Sequence, residues 1–232
     1  MEFRGIGELL AIAGDALSDA PPKNDALFGG TARQLGALLS ARNGFYALES
    51  ALHVFPAGDA VLSGRSLGEW NYRQLWVESY GELVPPALFF AEDVFGGQFA
   101  LIDEAVCLFD PETAKMAVFA NSVEEWASRV LAQSDYATGY SIAHAWQVEN
   151  GALPVGHRLI PRVPFSCGGD FSVENMVLIE AVSAMRYWGG FATMIAGLPD
   201  GAQLRFSPAV VDGLRCAGRP RGDRGECGCF DR

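Results

Sequence analysis

The chain has 232 residues, half of them hydrophobic and 19% charged, with 17 Lys and Arg against 28 Asp and Glu for a net charge of −11. Half apolar with 11% aromatics excludes a disordered chain, which lacks the apolar surface to offset ordering entropy. A pI near 4.7 excludes a nucleic-acid binder, whose phosphate contacts need a basic face.

Apolar runs such as residues 85–91 fall far below the roughly 20 residues a membrane span needs. The start, residues 1–8, carries Glu2 and Glu8 and no apolar stretch of signal-peptide length. The expectation is a cytoplasmic protein without nucleic-acid or membrane partners.

In chain order, residues 1–30 form a mixed N-terminal segment with a loop at 20–25. Thr31 as N-cap and Gln34 as its reciprocal partner predict a helix whose apolar face is Leu35, Leu38 and Leu39. Asn43-Gly44 supplies its left-handed stop. Residues 45–55 read as one extended segment. Ser66 with Glu69 makes a second capping box, opening a helix through Trp70, Trp76 and Tyr80 that Gly81 ends.

From Pro85 the period changes. Residues 87–91, 98–102, 105–109 and 116–120 have strand character. Their connectors, 93–97, 103–104 and 110–113, are too short for a parallel crossover, which predicts an antiparallel meander. Ser122 then caps a helix with Glu125 at the third position, and Val123, Trp126, Ala127, Val130 and Leu131 trace its buried stripe.

Residues 134–170 read as loop and short helix, punctuated by Pro154, Gly156, Pro161 and Pro164. Alternation at Phe171, Val173, Asn175, Val177 and Ile179 predicts a strand. A helix over 181–198 is expected to be interrupted at Gly189-Gly190, followed by a turn at 198–201 and a last strand at 202–206. The end differs in character: from Arg215 to Arg232 there are five Arg against three acids, +2 against −13 for the residues before. Its Gly, Arg, Pro and Cys content has no period and predicts a disordered tail over 207–232. The predicted class is α+β, a central antiparallel meander flanked by helices.

Signals for catalysis are sparse. His53, His144 and His157 stand in no metal-ligand pattern, and the chain has no nucleophile elbow or phosphate loop. Cys107 and Cys167 read as small buried or loop residues, and Cys216, Cys227 and Cys229 lack the spacing of a zinc module, so no metal or other cofactor is expected. Paired carboxylates could in principle do acid/base work, the basis of a hydrolase reading. Their density says more: residues 76–126 hold ten acids and one base, Lys115. Such a field steers basic partners. Glu92, Asp93, Asp103 and Glu104, at the meander turns, are the charges expected to engage one, with Tyr80 and Phe95 as anchoring aromatics.

The helix ending at Asn43-Gly44, the Trp76 to Gly81 segment, residues 88–102, Phe109 to Thr113 and residues 122–127 together resemble the SUKH superfamily, specifically bacterial relatives of the Smi/Knr regulators. The match covers about residues 30–133, which makes 31–133 the domain core and 134–206 an extension packed on it. The resemblance implies an α+β fold and a non-enzymatic role: an immunity protein that neutralises a cognate toxin by binding it, or an intracellular regulatory scaffold. It also implies that Asp93, Gly96, Gly97 and Gln98 form the family turn and that Trp126 is the core aromatic of the closing helix.

Overall fold

The strand-like runs pair in the order their short connectors require. The computed structural model describes residues 4–22, 32–58 and 61–198. In it β1 (Phe45–Ala47), β2 (Leu52–Val54), β3 (Leu88–Asp93), β4 (Gln98–Ile102), β5 (Ala105–Phe109) and β6 (Met116–Ala120) form one sheet. Each strand is antiparallel to the next in sequence. The last four are the predicted meander.

The segment expected as one extended run over 45–55 is a hairpin instead. Leu48, Glu49 and Ser50 all take left-handed backbone, with φ of 52°, 53° and 68°. The Ala51 N–H donates to the Leu48 carbonyl at 2.9 Å and closes the reversal. Such conformations cost about 1–3 kcal/mol each for residues with a Cβ. Contacts from outside the turn offset this, among them Gln147 Nε2 donating to the Glu49 carbonyl at 2.8 Å.

Helices α1 (Arg4–Ile12), α2 (Arg33–Ala41) and α3 (Leu67–Trp70) precede the meander, and α4 (Val123–Ala132) closes it. The Ser122 cap is present, its hydroxyl accepting from the Glu125 N–H. The fully buried Trp126 packs on Phe90 and Phe99, with ring centroids 5.0 and 5.6 Å away. Neighbouring strand residues point to opposite faces, so Gln98, beside Phe99, faces the other layer. There Phe55, Trp70, Trp76, Tyr80, Phe89 and Phe109 form a continuous aromatic stack. The sheet is thus covered on both faces.

Several expectations are corrected by tertiary contacts. The helix expected through Tyr80 stops at Trp70, although its Ser66–Glu69 capping box is present. Asn71 exchanges two 2.8 Å hydrogen bonds with the Phe89 backbone, which draws the chain onto β3, and only a 3-10 turn, Val77–Tyr80, follows. The N-cap of α2 is Ala32, without a side-chain bond, and Thr31 lies outside the described residues. Gln34 instead accepts from the Glu124 N–H at 3.0 Å, while the Glu124 carboxylate accepts from the Gly5 and Ile6 N–H groups. The N-terminus of α1 is therefore capped by a residue distant in sequence, and that of α4 by Gln34 in addition to Ser122.

The region 134–170 is more regular than expected. It holds α5 (Ser134–Thr138), α6 (Tyr140–Asn150) and β7 (His157–Pro161), the last paired antiparallel with β8 (Met176–Glu180). α6 buries only Ala143 and Trp146, which leaves a weak periodic signal. The predicted strand over 171–179 is β8 in its second half only, since Val173–Asn175 is a 3-10 turn. α7 (Ala181–Ala196) runs unbroken through Gly189-Gly190. A Cβ at Gly189 would overlap the Ser79 backbone and side chain, so this glycine permits close packing rather than interrupting the helix. The predicted turn and strand at 198–206 and the tail fall almost wholly outside the described residues.

Candidate functional site

β3 ends at a polar cluster that joins the meander to the C-terminal elements. Glu92, from β3, accepts from His53 Nδ1 of β2 at 3.0 Å and pairs with Arg158 Nη2 of β7 at 2.7 Å. Gln98, opposite Glu92 in the β3–β4 register, accepts from Trp70 Nε1 at 2.8 Å and donates to the Gly96 carbonyl at 2.8 Å. Tyr46 stacks on His53 at 4.3 Å and lies under the Arg158 guanidinium.

Burial alone would raise the Glu92 pKa, but Arg158 and His53 hold it below its ordinary value. Burial pushes His53 down, which keeps its imidazole neutral. The proton then sits on Nδ1, facing Glu92, and Nε2 is buried with no partner among the described residues. Glu92 is only 1% exposed. It was expected to meet a partner at the surface and is instead an internal ion-pair member, because β2 and β7 both cover its side chain.

The turn after β3 carries the second group. Asp93 Oδ1 accepts from the N–H groups of Phe95 and Gly97, each at 2.8 Å, and Gly96 takes φ +88°. Asp93 ends β3, Gly96 and Gly97 lie in the turn, and Gln98 opens β4. Asp93 is half-buried rather than exposed, and burial pushes its pKa up to about 7 against the pull of the Gly97 and Phe95 N–H groups.

Phe95 projects from this turn against Phe165 and Phe171, with centroids 5.4 and 5.2 Å away, and those two rings stack at 4.2 Å. Phe95 and Phe165 are half-buried, and Phe171 is 61% exposed. Glu112, buried, accepts from the Phe165 and Ser166 N–H groups at 3.0 and 2.8 Å and so fixes the loop that bears Phe165. Burial pushes its pKa up as well. Asp170, next to Phe171, and Glu174, in the 3-10 turn that follows, are exposed.

The remaining predicted site residues lie elsewhere. Tyr80 is fully buried and donates to the Pro111 carbonyl at 3.1 Å, so it cannot anchor a partner. Asp103 and Glu104 are exposed on the β4–β5 turn, with Asp103 at φ +52°. That turn is at the far end of β4 from Asp93, about 17 Å away at 3.4 Å per strand residue. The four acids proposed as one surface therefore do not share one.

Phe165, Phe171 and Arg158 were missed. Phe171 stood out in the sequence only as one residue of an alternating run. No local pattern ties 95 to 165 or 158 to 92, because these pairings are tertiary. Among the described residues no three His, Cys, Asp or Glu side chains converge as metal ligands would. The described helices are also too short or too polar to cross a membrane.

No protein-family model matches the sequence, and no curated protein matches it. Among solved structures, the chain is similar to the crystal structure of Atu4351 from Agrobacterium tumefaciens. The TM-score is 0.53 at 14% identity, over 82% of this chain and 89% of that one. This likeness concerns the fold, which is α+β.

Proposed function

We propose that the protein is a non-enzymatic binding module of the immunity type, which neutralises a basic toxin domain by direct association. The observation that carries this reading is the cluster of Phe95, Phe165 and Phe171, partly open to solvent, with exposed Asp170 and Glu174 close to Phe171 in sequence. Aromatic rings supply binding energy when a partner desolvates them, and charges around them set association rate and partner choice. A basic protein surface, such as a nuclease must carry, complements both features. The −11 net charge favours the same class of partner at longer range. Asp103 and Glu104, on a separate exposed turn, add to that field.

The test is association kinetics with any candidate toxin domain found in the reading frames that neighbour this gene. Phe171→Ala should speed dissociation by about tenfold or more, as loss of an anchoring aromatic does. Asp170→Asn with Glu174→Gln should slow association and flatten its salt dependence, since rim charges act mainly on the on-rate. Absence of any association would overturn the reading.

A further inference from the structure

Phe171 is the open ring of the aromatic cluster, 61% exposed beside the half-buried rings of Phe95 and Phe165. Apolar groups gathered at a surface mark a place where something else binds. Asp170 and Glu174, exposed and close to Phe171 in sequence, add negative charge there. The chain itself holds a segment of the complementary chemistry. Residues 199–232 follow α7 and lie outside the described residues. Within them Arg215, Arg219, Arg221 and Arg224 stand in ten residues with one acid, Asp223, a local charge of +3. No ten-residue stretch of 1–214 holds more than two bases. A guanidinium group stacks on aromatic faces and pairs with carboxylates through two N–H groups, so arginine suits a surface of rings and acids better than lysine does.

We infer that residues 215–224 dock on the Phe95–Phe165–Phe171 surface of their own chain, with arginine over Phe171 and paired to Asp170 and Glu174. The segment occupies the face assigned above to a basic partner and competes with that partner. The competition rests on the partner-binding reading; the docking does not.

The chain is long enough to make this contact. α7 passes beside the turn that bears Phe95, where a Cβ at Gly96 would lie 3.6 Å from Met185 Sδ. From Met185 to Leu198 the chain then travels about 20 Å at 1.5 Å per helical residue. Residues 199–214 can span up to about 50 Å, so the arginines reach back to the rings from the end of α7 with length to spare. Tethering makes weak contacts count. A segment joined to its site is present there at about millimolar concentration, so contacts too weak to hold a separate peptide still cover the surface. The charge alone would not choose this face, since the Asp103–Glu104 turn carries two exposed acids as well. That turn offers no exposed aromatic ring, and the Phe171 face does.

The experiment follows the backbone amide and arginine side-chain resonances of the full chain by NMR at low salt, with no partner present. Two variants, Phe171→Ala and Asp170→Asn with Glu174→Gln, alter exposed side chains only and so keep the fold. In each, the resonances of residues 215–224 should move towards the positions the wild type shows at about 0.5 M salt, where the ion pairs are screened. Asp103→Asn with Glu104→Gln should leave them in place. Conversely, Arg215→Ser, Arg219→Ser, Arg221→Ser and Arg224→Ser together should move the resonances of residues 165–174. Arginine resonances that ignore the Phe171 and Asp170–Glu174 changes, or that answer equally to the Asp103–Glu104 change, would overturn the proposal. Shifts that depend on protein concentration would also overturn it, because they would put the segment on a second copy of the chain. Because no partner is needed, failure here is distinct from failure of the immunity reading. With a basic partner in hand, the four-serine variant should associate up to about tenfold faster than the wild type, and equal rates would overturn the competition.

Discussion

Glu92 and Arg158 are buried together, and each is the other's charge partner. Removing one leaves an unpaired ion where water cannot reach, a loss of roughly 3–5 kcal/mol. Glu92→Gln should therefore lower the unfolding free energy from denaturant titration by that amount, whereas Glu92→Gln combined with Arg158→Met should recover part of it. A partner-facing acid would show no such loss, so the pair of measurements separates the two roles of Glu92. Trp126 was legible as a core residue because its helix carries a periodic stripe. Trp126→Ala should cost roughly 3–5 kcal/mol as a buried aromatic truncation, read as a lower melting temperature. Nothing comparable in the sequence marks Arg158 as an internal cation. A lone Arg before an apolar pair resembles an exposed strand position, and the residue that neutralises it is 66 positions earlier.

Among elements, α7 shows how one residue type carries two meanings. Gly189 and Gly190 are adjacent in one unbroken helix. A Cβ on Gly189 would meet Ser79, while a Cβ on Gly190 would meet nothing within 4 Å. Gly190→Ala should raise stability by about 0.5–1 kcal/mol through helix propensity and a less free unfolded chain. Gly189→Ala should lower it, because the Ser79 backbone must shift to make room. Thermal unfolding of the two variants reads the opposite signs directly. The sequence shows a pair of helix breakers here. The Ser79 contact explains the glycine at 189, while the packing around 190 requires none. The β1–β2 hairpin fails for a related reason: its turn uses Leu48, Glu49 and Ser50 in left-handed backbone, where glycine or asparagine would have announced it. Glu49 is held there by Tyr140 and His144 of α6, contacts made across the fold.

For the molecule as a whole, the buried cluster makes folding depend on pH. His53 has a lowered pKa in the folded protein, so below its unfolded value of about 6.5 the unfolded chain binds a proton that the folded one does not. Stability should rise with pH up to that value and then level off. Glu92 is lowered as well, so its contribution is present above its unfolded value and is lost on further acidification. Asp93 has the opposite sign: its raised pKa favours the fold at acid pH, and that contribution fades as pH rises through about 7. Urea midpoints between pH 5 and 6.5 should climb more steeply in Asp93→Asn than in the wild type. In His53→Gln, which keeps a group beside Glu92 but cannot titrate, the climb should disappear over that range.

The meander, the helix that closes it and the acidic character of the chain were determined by the sequence itself. Strand period, connector length, an N-cap and net charge are local or additive properties, and each can be read without knowing what packs on what. The site was decided by the tertiary structure alone. Whether an acid at the end of a strand faces solvent or an arginine depends on the element laid over it. Glu92, Asp93 and Glu112 look alike in sequence to Asp103 and Glu104. The first three lie under β7, the Phe95 turn and the Phe165 loop, where desolvation gives them internal hydrogen-bonding roles. The other two lie on a hairpin turn that remains exposed. The aromatic cluster has the same origin, since Phe95, Phe165 and Phe171 meet only once the C-terminal elements fold back on the β3–β4 turn.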